Sequence, residues 1–163
     1  MNEAEQLISD LDKARHKTLE LLKTIDEKRE VYPGWTAKQF IAHLTGWDEA
    51  TNASLKAHAA GKEPGTPAYK GIDFYNEQTV AERVPLSYEL IVKEWTVTRD
   101  ELRELIQTLP AEKFIQPVVF PWGPTGSVKE LVEIMIYHEH EHADELRKKF
   151  NIGPEVAPQS IEK

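Results

Sequence analysis

The chain has 163 residues, of which 28 are acidic and 20 are basic, and it contains no cysteine. Its formal net charge of −8 argues against a general nucleic-acid-binding protein, which would present a basic face. The lack of cysteine excludes disulfides, cysteine-ligated zinc and a cysteine nucleophile. The acidic N-terminus is not a signal peptide, and no apolar run approaches the roughly 18 residues of a membrane helix. We therefore expect one cytoplasmic domain with no membrane segment.

The first part of the chain predicts two long amphipathic helices, because apolar residues recur at steps of three and four. The first helix is predicted over residues 3–29 and ends before Pro33-Gly34, a dipeptide that favours a turn. The second helix begins at Thr36, where Gln39 three residues later completes a capping box. It is predicted to end at Gly61.

The second part predicts two more long helices. One follows Ser87 and ends near Leu109, and the other follows Ser127 and ends near Lys149; serine is a favoured residue at a helix N-cap. Between them, residues 114–126 contain three prolines and two glycines, which exclude a helix. We expect a loop there with at most one short strand.

These elements predict an all-α four-helix bundle. Two longer connections, residues 61–87 and 110–127, allow it to depart from a simple up-down order. A short helix capped by Asp73 is predicted within the first connection. We assign residues 1–153 to a single domain, and we expect residues 154–163 to form a mobile tail because they hold two prolines and little apolar content.

Three histidines fall on the inward faces of the predicted helices. His138 and His142 are four residues apart, so they differ by about 40° around the helix and share one face. His43 lies on the apolar face of the second helix. Each histidine alone is explained as a hydrogen-bonded core residue, but three buried imidazoles in one small core are costly unless they converge on a cation. Three histidines with an open position are typical of catalytic zinc, although imidazole also suits nickel, iron and copper.

The sequence around these histidines resembles the DinB superfamily of four-helix bundles. The matching segments are residues 34–47 (GWTAKQFIAHLTGW), 73–77 (DFYNE) and 127–142. The resemblance implies a DinB-like bundle that binds a divalent metal, zinc or nickel, through His43, His138 and His142.

The resemblance also implies a small-molecule substrate and a homodimer. Several branches of the superfamily are similar to thiol-dependent S-transferases or isomerases that use a low-molecular-weight thiol, and others to metal-dependent hydrolases. Either chemistry would place the metal as a Lewis acid between the second and fourth long helices. Candidate acid–base or supporting residues are Glu141, Asp48, Asp73 and Asn76, and the candidate pocket walls are Trp47 and Trp122.

Two other interpretations stay open. In one, the bundle is not catalytic, the histidine cluster is a structural or vestigial metal site, and the surface binds a protein partner. In the other, the histidines bind no metal and hydrogen-bond to carboxylates such as Glu94 or Glu141. A structural site is closed by a fourth protein ligand, whereas a catalytic site keeps one position open. Glu139 and His140 are expected to face solvent.

Overall fold

The computed structural model describes residues 1–153, and the predicted tail, residues 154–163, lies outside them. In chain order the elements are α1 (Glu3–Lys23), β1 (Glu30–Tyr32), β2 (Trp35–Thr36), α2 (Ala37–Ala60), α3 (Ile72–Glu82), α4 (Tyr88–Thr108), α5 (Ala111–Ile115), β3 (Val118–Val119), β4 (Thr125–Gly126) and α6 (Val128–Lys149). The long helices α1, α2, α4 and α6 form a four-helix bundle, which confirms the predicted fold class. The assignment of residues 1–153 to one domain stays a prediction. None of the helices in this range is long and apolar enough to cross a bilayer.

Local capping sets most helix ends where the sequence predicts them. The backbone N–H of Thr36 donates to Oε1 of Gln39 at 2.9 Å, and α2 ends at Gly61 in the left-handed conformation, where glycine is favoured. The first helix is shorter than predicted. It ends at Lys23 because Asp26 forms a turn, in which its side chain accepts from the backbone N–H of Lys28 at 2.9 Å and competes with helix continuation.

Two small antiparallel hairpins were not predicted. Strands β1 and β2 pair around Gly34, whose φ of 78° suits glycine. Strands β3 and β4 pair Val118 with Gly126 and Val119 with Thr125. The expectation of at most one strand between residues 114 and 126 was therefore wrong, because strands of two residues are too short to show an alternating apolar pattern.

The short helix α3 packs closely on α2. A Cβ atom at Gly46 would lie 2.2 Å from Oγ1 of Thr79, so glycine is what permits this approach. The hydroxyl of Tyr75 donates to the backbone carbonyl of Gly46 at 2.5 Å. The cap of α3 is Gly71 and not the predicted Asp73, so the helix begins two residues earlier, at Ile72. Asn76 on this helix faces α2, where it accepts a hydrogen bond from Trp47.

The centre of the bundle contains an ion-pair cluster made of Arg15, Asp48, Arg99 and Glu139, one residue from each long helix. Arg15 donates to Glu139 at 2.9 Å and to Asp48 at 3.0 Å. Arg99 donates to Asp48 at 3.0 and 3.2 Å and also to Glu139. All four residues are buried, and Glu139 is 1% exposed. The expectation that Glu139 faces solvent was wrong, because two guanidinium groups satisfy its carboxylate inside the core.

The two arginines are also held by neutral groups. The guanidinium of Arg15 lies 3.9 Å from the centroid of the Trp95 ring, and Arg99 donates to the carbonyl of Leu11 at 3.1 Å. Burial by itself raises the pKa of Glu139, but Arg99 and Arg15 outweigh it, so the net shift of this pKa is downward. Glu139 is therefore ionised, and the cluster pairs two cations with two anions.

Candidate metal centre

The three predicted histidines meet at one point between α2 and α6. The Nε2 atom of His43 lies 3.1 Å from Nε2 of His138 and 3.2 Å from Nε2 of His142. The Nε2 atoms of His138 and His142 are 2.9 Å apart. Helical geometry explains the arrangement, because residues four apart on α6 project side by side towards His43 on the facing helix.

The environment keeps these imidazoles neutral at pH 7. Burial lowers the pKa of His43 to about 2, with a further contribution from His138 and His142. Burial and the adjacent His142 lower the pKa of His138 to about 4. The pKa of His142 is also lowered by burial, although the carboxylate of Glu145 opposes this shift. A neutral imidazole has one nitrogen lone pair available for a metal.

The donor geometry fits a divalent cation. A tetrahedral metal with bonds of 2.0–2.1 Å to nitrogen separates its ligand atoms by about 3.3 Å, within a few tenths of an ångström of the observed spacing. A hydrogen bond joins one N–H to one acceptor, so hydrogen bonding alone does not satisfy three Nε2 atoms that all approach one another. A cation at the centre satisfies all three.

A hydrogen-bonded chain outside the cluster orients His142. The hydroxyl of Tyr32, on β1, lies 2.7 Å from Nδ1 of His142 and 2.6 Å from Oε2 of Glu145. Because the single hydroxyl proton is donated to the carboxylate, Nδ1 of His142 is assigned as the donor to the Tyr32 oxygen. The lone pair of His142 is then on Nε2, the atom that faces the other two histidines. Such outer hydrogen bonds fix the tautomer and orientation of a metal-binding histidine.

Replacing Tyr32 with phenylalanine is expected to weaken zinc binding by roughly 10- to 100-fold, because the N–H of His142 loses its acceptor and the ring its orientation. Competition with a chromophoric chelator measures this affinity. The control is Tyr137→Phe on α6, at a tyrosine that is 68% exposed. This substitution is expected to leave the affinity for zinc unchanged. Equal affinities of the wild type and Tyr32→Phe would contradict the orienting role of the hydroxyl.

Aromatic rings surround the three histidines. The ring of Trp35 is 5.3 Å from that of His43, and the ring of Phe40 is 5.8 Å from that of His142, both measured between centroids. Trp47 lies 6.5 Å from His138. His43 is 3% exposed, whereas His138 and His142 are half-buried. Aromatic rings therefore cover the cluster around His43 on α2, whereas solvent reaches it past His138 and His142 on α6.

The other candidate site residues are spread over three environments. Asp48 faces Arg15 and Arg99 in the ion-pair cluster, away from solvent. Asn76 lies beside the histidines and accepts from Nε1 of Trp47 at 2.7 Å. Glu141 is exposed on α6.

Asp73 is also exposed, on the first turn of α3. Glu94, one of the two carboxylates suggested as a hydrogen-bond partner for the histidines, instead accepts from Arg83 at 2.9 Å. His140, expected to be exposed, is half-buried and lies outside the group of converging ligands.

Sequence reasoning missed Tyr32 and the partners of Asp48. Tyr32 has no helical periodicity to reveal it, and it meets His142 from 110 positions away in the chain. Arg15, Arg99 and Glu139 did carry a signal, since each is a charged residue on an apolar stripe. Charged residues are almost never fully buried unless they are paired. With Asp48, each of the four long helices carries one such residue, and this pattern predicts that the four side chains contact one another.

The fold and the site define a class: a helical bundle whose second and last long helices bring three histidines to one point. The chain belongs to the DinB superfamily, whose sequence profile matches residues 10–146. The resemblance stated from the sequence motifs is thereby confirmed. The homodimer and the cytoplasmic location stay predictions. A search of curated protein sequences finds no match to this chain.

Several solved structures share the fold at low sequence identity. A mycothiol-dependent maleylpyruvate isomerase is 16% identical with a TM-score of 0.74, and the match covers 89% of this chain and 61% of the isomerase. A Streptococcus pneumoniae protein is 17% identical with a TM-score of 0.75, over 94% and 93% of the two chains. YfiT from Bacillus subtilis, described as a probable metal-dependent hydrolase with an unusual four-helix bundle topology, is 14% identical with a TM-score of 0.69, over 94% and 91%. At these identities the similarity shows the fold alone, and this chain spans less than two thirds of the isomerase.

Proposed function

We propose that this protein is a divalent-metal-dependent enzyme that acts on a small molecule, with zinc or nickel held by His43, His138 and His142. The observation that carries the proposal is the convergence of three Nε2 atoms, each pair 2.9 to 3.2 Å apart. All three rings are neutral at pH 7, and the hydrogen bond from His142 to Tyr32 leaves its Nε2 lone pair directed at the same point.

The composition of the cluster favours an enzyme over a structural site. Within residues 1–153, the group of side chains that could hold a metal at this point consists of the three histidines, with no carboxylate among them. A structural zinc site uses four protein ligands, whereas a catalytic one leaves a position for water or substrate. Two of the three rings are also half-buried rather than enclosed, which leaves a route for a ligand.

A divalent metal held there would supply Lewis-acid chemistry and lower the pKa of a bound thiol or water. The chain's own groups would orient the site and move the proton. Tyr32 and Glu145 keep Nδ1–H of His142 in place. We propose Glu141 as the proton acceptor, because it carries an exposed carboxylate next to His142 on α6. We assign Asp48 to the ion-pair cluster and not to proton transfer, because Arg15 and Arg99 occupy its carboxylate.

Two reaction classes are compatible with this site, and they differ in what occupies the open position. In thiol transfer, a metal held by the three histidines would favour the thiolate form of a low-molecular-weight thiol, whose proton would pass to Glu141 and whose sulfur would bond to an electrophilic substrate. In hydrolysis, the metal would instead favour deprotonation of a water molecule. The fold similarity to a thiol-dependent isomerase and to a probable metal-dependent hydrolase supports testing both, and we favour thiol transfer as the first to test.

Loading the metal-free protein with cobalt(II) distinguishes these possibilities. We expect N-acetylcysteine to produce a sulfur-to-cobalt charge-transfer band in the near ultraviolet, which is absent from His43→Ala. A visible spectrum that responds to azide but not to the thiol would support water activation. A cobalt spectrum that responds to neither ligand would indicate a closed, structural site and would overturn the proposed enzymatic function.

A further inference from the structure

An apolar recess adjoins the histidine cluster at His138 and is not needed to hold a metal. It begins beside His138 and has a volume of about 160 Å³. Its other lining side chains come from α2, α3, α6 and the β3–β4 hairpin: Trp47, Ile72, Asn76, Trp122, Ile134 and Met135. The rings of Trp47 and Trp122 meet at 73° with their centroids 6.0 Å apart, so two walls of the recess are indole rings.

The lining leaves little for a polar ligand group to bind. None of these six side chains carries a charge, and Oδ1 of Asn76 already accepts a hydrogen bond from Trp47. A carboxylate or phosphate placed here would lose its hydration without gaining a charged partner, which is costly. An apolar group would instead gain contacts with Trp47, Trp122 and Met135.

The size of the recess sets the size of its occupant. An apolar cavity of about 150 Å³ in another protein stays dry and binds benzene, and the recess described here has nearly the same volume. It therefore accommodates one benzene-sized group, either an aromatic ring or a branched hydrocarbon of similar volume.

The mouth of the recess is also apolar. Ile72 is 53% exposed and Ile134 is 39% exposed. A groove next to it shares Ile72 and Trp122 and adds Tyr69 and Phe74, which are 68% and 48% exposed. Two charged residues, Lys70 and Asp73, also line this outer groove, and the ammonium of Lys70 lies 5.1 Å from the centroid of the Phe74 ring. Large apolar side chains exposed together around a cleft mark a ligand-binding surface. The recess thus opens to solvent past Ile72 and Ile134, without passing through the histidines, and the charged residues lie farther out in the groove.

We propose that the recess binds an apolar, benzene-sized part of the substrate while a polar, metal-binding part of the same molecule faces His43, His138 and His142. The substrate is then amphipathic, with an aromatic or branched aliphatic group adjoining its reactive end. This inference rests on the proposed metal-dependent function for the polar end, but the recess itself is a property of the metal-free chain.

The first test uses metal-free protein, so it does not depend on the proposed function. The chain has two methionines: Met135 lines the recess, and Met1 is 84% exposed. With ¹³C-methyl-labelled methionine and EDTA-treated protein, we expect toluene to shift the Met135 signal saturably and to leave Met1 in place. Equal shifts of both signals, or no shift up to the solubility limit of toluene, would overturn the inference.

The second test measures whether one ligand can bind the metal centre and the recess at the same time. We expect the zinc-loaded protein to bind benzohydroxamate or phenylacetohydroxamate about 10- to 100-fold more tightly than acetohydroxamate, as burial of a phenyl group predicts. Ile134→Trp, which fills the recess from its mouth, should remove this preference. The matched control is Ile115→Trp at an isoleucine that is 86% exposed outside the recess, and it should retain the preference.

The two hypotheses fail in different ways in this second test. If all the hydroxamates bind equally, the metal centre is accessible but the recess does not contribute, and the inference is wrong. If none binds while toluene still shifts Met135, the recess exists but the proposed metal-dependent function is wrong, and with it the role of the recess in holding a substrate.

Discussion

His43→Ala is expected to reduce the affinity for zinc or nickel by more than about 100-fold, because it removes one of three converging ligands. Loss of a hydrogen-bond partner outside the ligands of a metal already costs 10- to 100-fold, and loss of a ligand itself should cost more. His43 is the informative position because it is the one histidine of the cluster on α2. Loss of the metal from this variant would show that α2 and α6, which are far apart in the sequence, bind the same cation.

The measurement is metal content of untagged protein by plasma mass spectrometry, followed by titration of the metal-free protein. We expect about one metal per chain in the wild type and little in His43→Ala or His138→Ala. The matched control is His140→Ala, on the same helix but outside the converging group, which should retain the metal.

Since His43 is 3% exposed, its replacement leaves a cavity, so circular dichroism must show that the variant is folded. The half-buried His142→Ala provides a second, less disruptive test. Equal metal loss in His140→Ala and His138→Ala would contradict the assigned ligands, and a wild type that takes up neither zinc nor nickel would contradict the metal centre.

The histidine cluster was predictable because its signal is local. Residues four apart on a helix share a face whatever the fold, so His138 and His142 follow from spacing alone. His43 follows from its position on an apolar stripe. The spacing does not predict the distance between α2 and α6. That distance follows from the bundle architecture, which brings the two helices together.

The rotation of α6 was predicted less well. Helical spacing places the apolar Ile134 on the same face as His138, but Ile134 is 39% exposed, whereas Glu139 is 1% exposed. Successive residues differ by about 100° around a helix, so the true centre of the buried face runs through Met135, Glu139 and Ala143, at steps of four. His138 and His142 then lie at one edge of that face, which explains why they are reached from solvent. Glu139 indicates this orientation only when it is considered together with Arg15, Asp48 and Arg99, because burial of an acid is explained by its partners on other helices.

Glu139→Gln is expected to lower the free energy of unfolding by about 3 to 5 kcal/mol, the usual cost of breaking a buried ion pair by removing one partner. The glutamine keeps the shape of the side chain but leaves Arg15 and Arg99 with one carboxylate, that of Asp48, for two positive charges. The amide would also turn an N–H group towards a guanidinium that can only donate. For a chain of this size the loss corresponds to a fall in Tm of roughly 6 to 20 °C.

Urea unfolding monitored by circular dichroism measures this loss. The matched control is Glu133→Gln on the same helix, where the glutamate side chain is 53% exposed and 3.8 Å from Lys129; exposed pairs contribute at most about 1 kcal/mol. If Glu139→Gln were no more destabilising than Glu133→Gln, the four buried charges would not constrain the bundle. Asp48→Asn provides a test from the opposite helix. A similar loss there would show that both carboxylates of the cluster support the bundle, as expected because each of them binds Arg15 and Arg99.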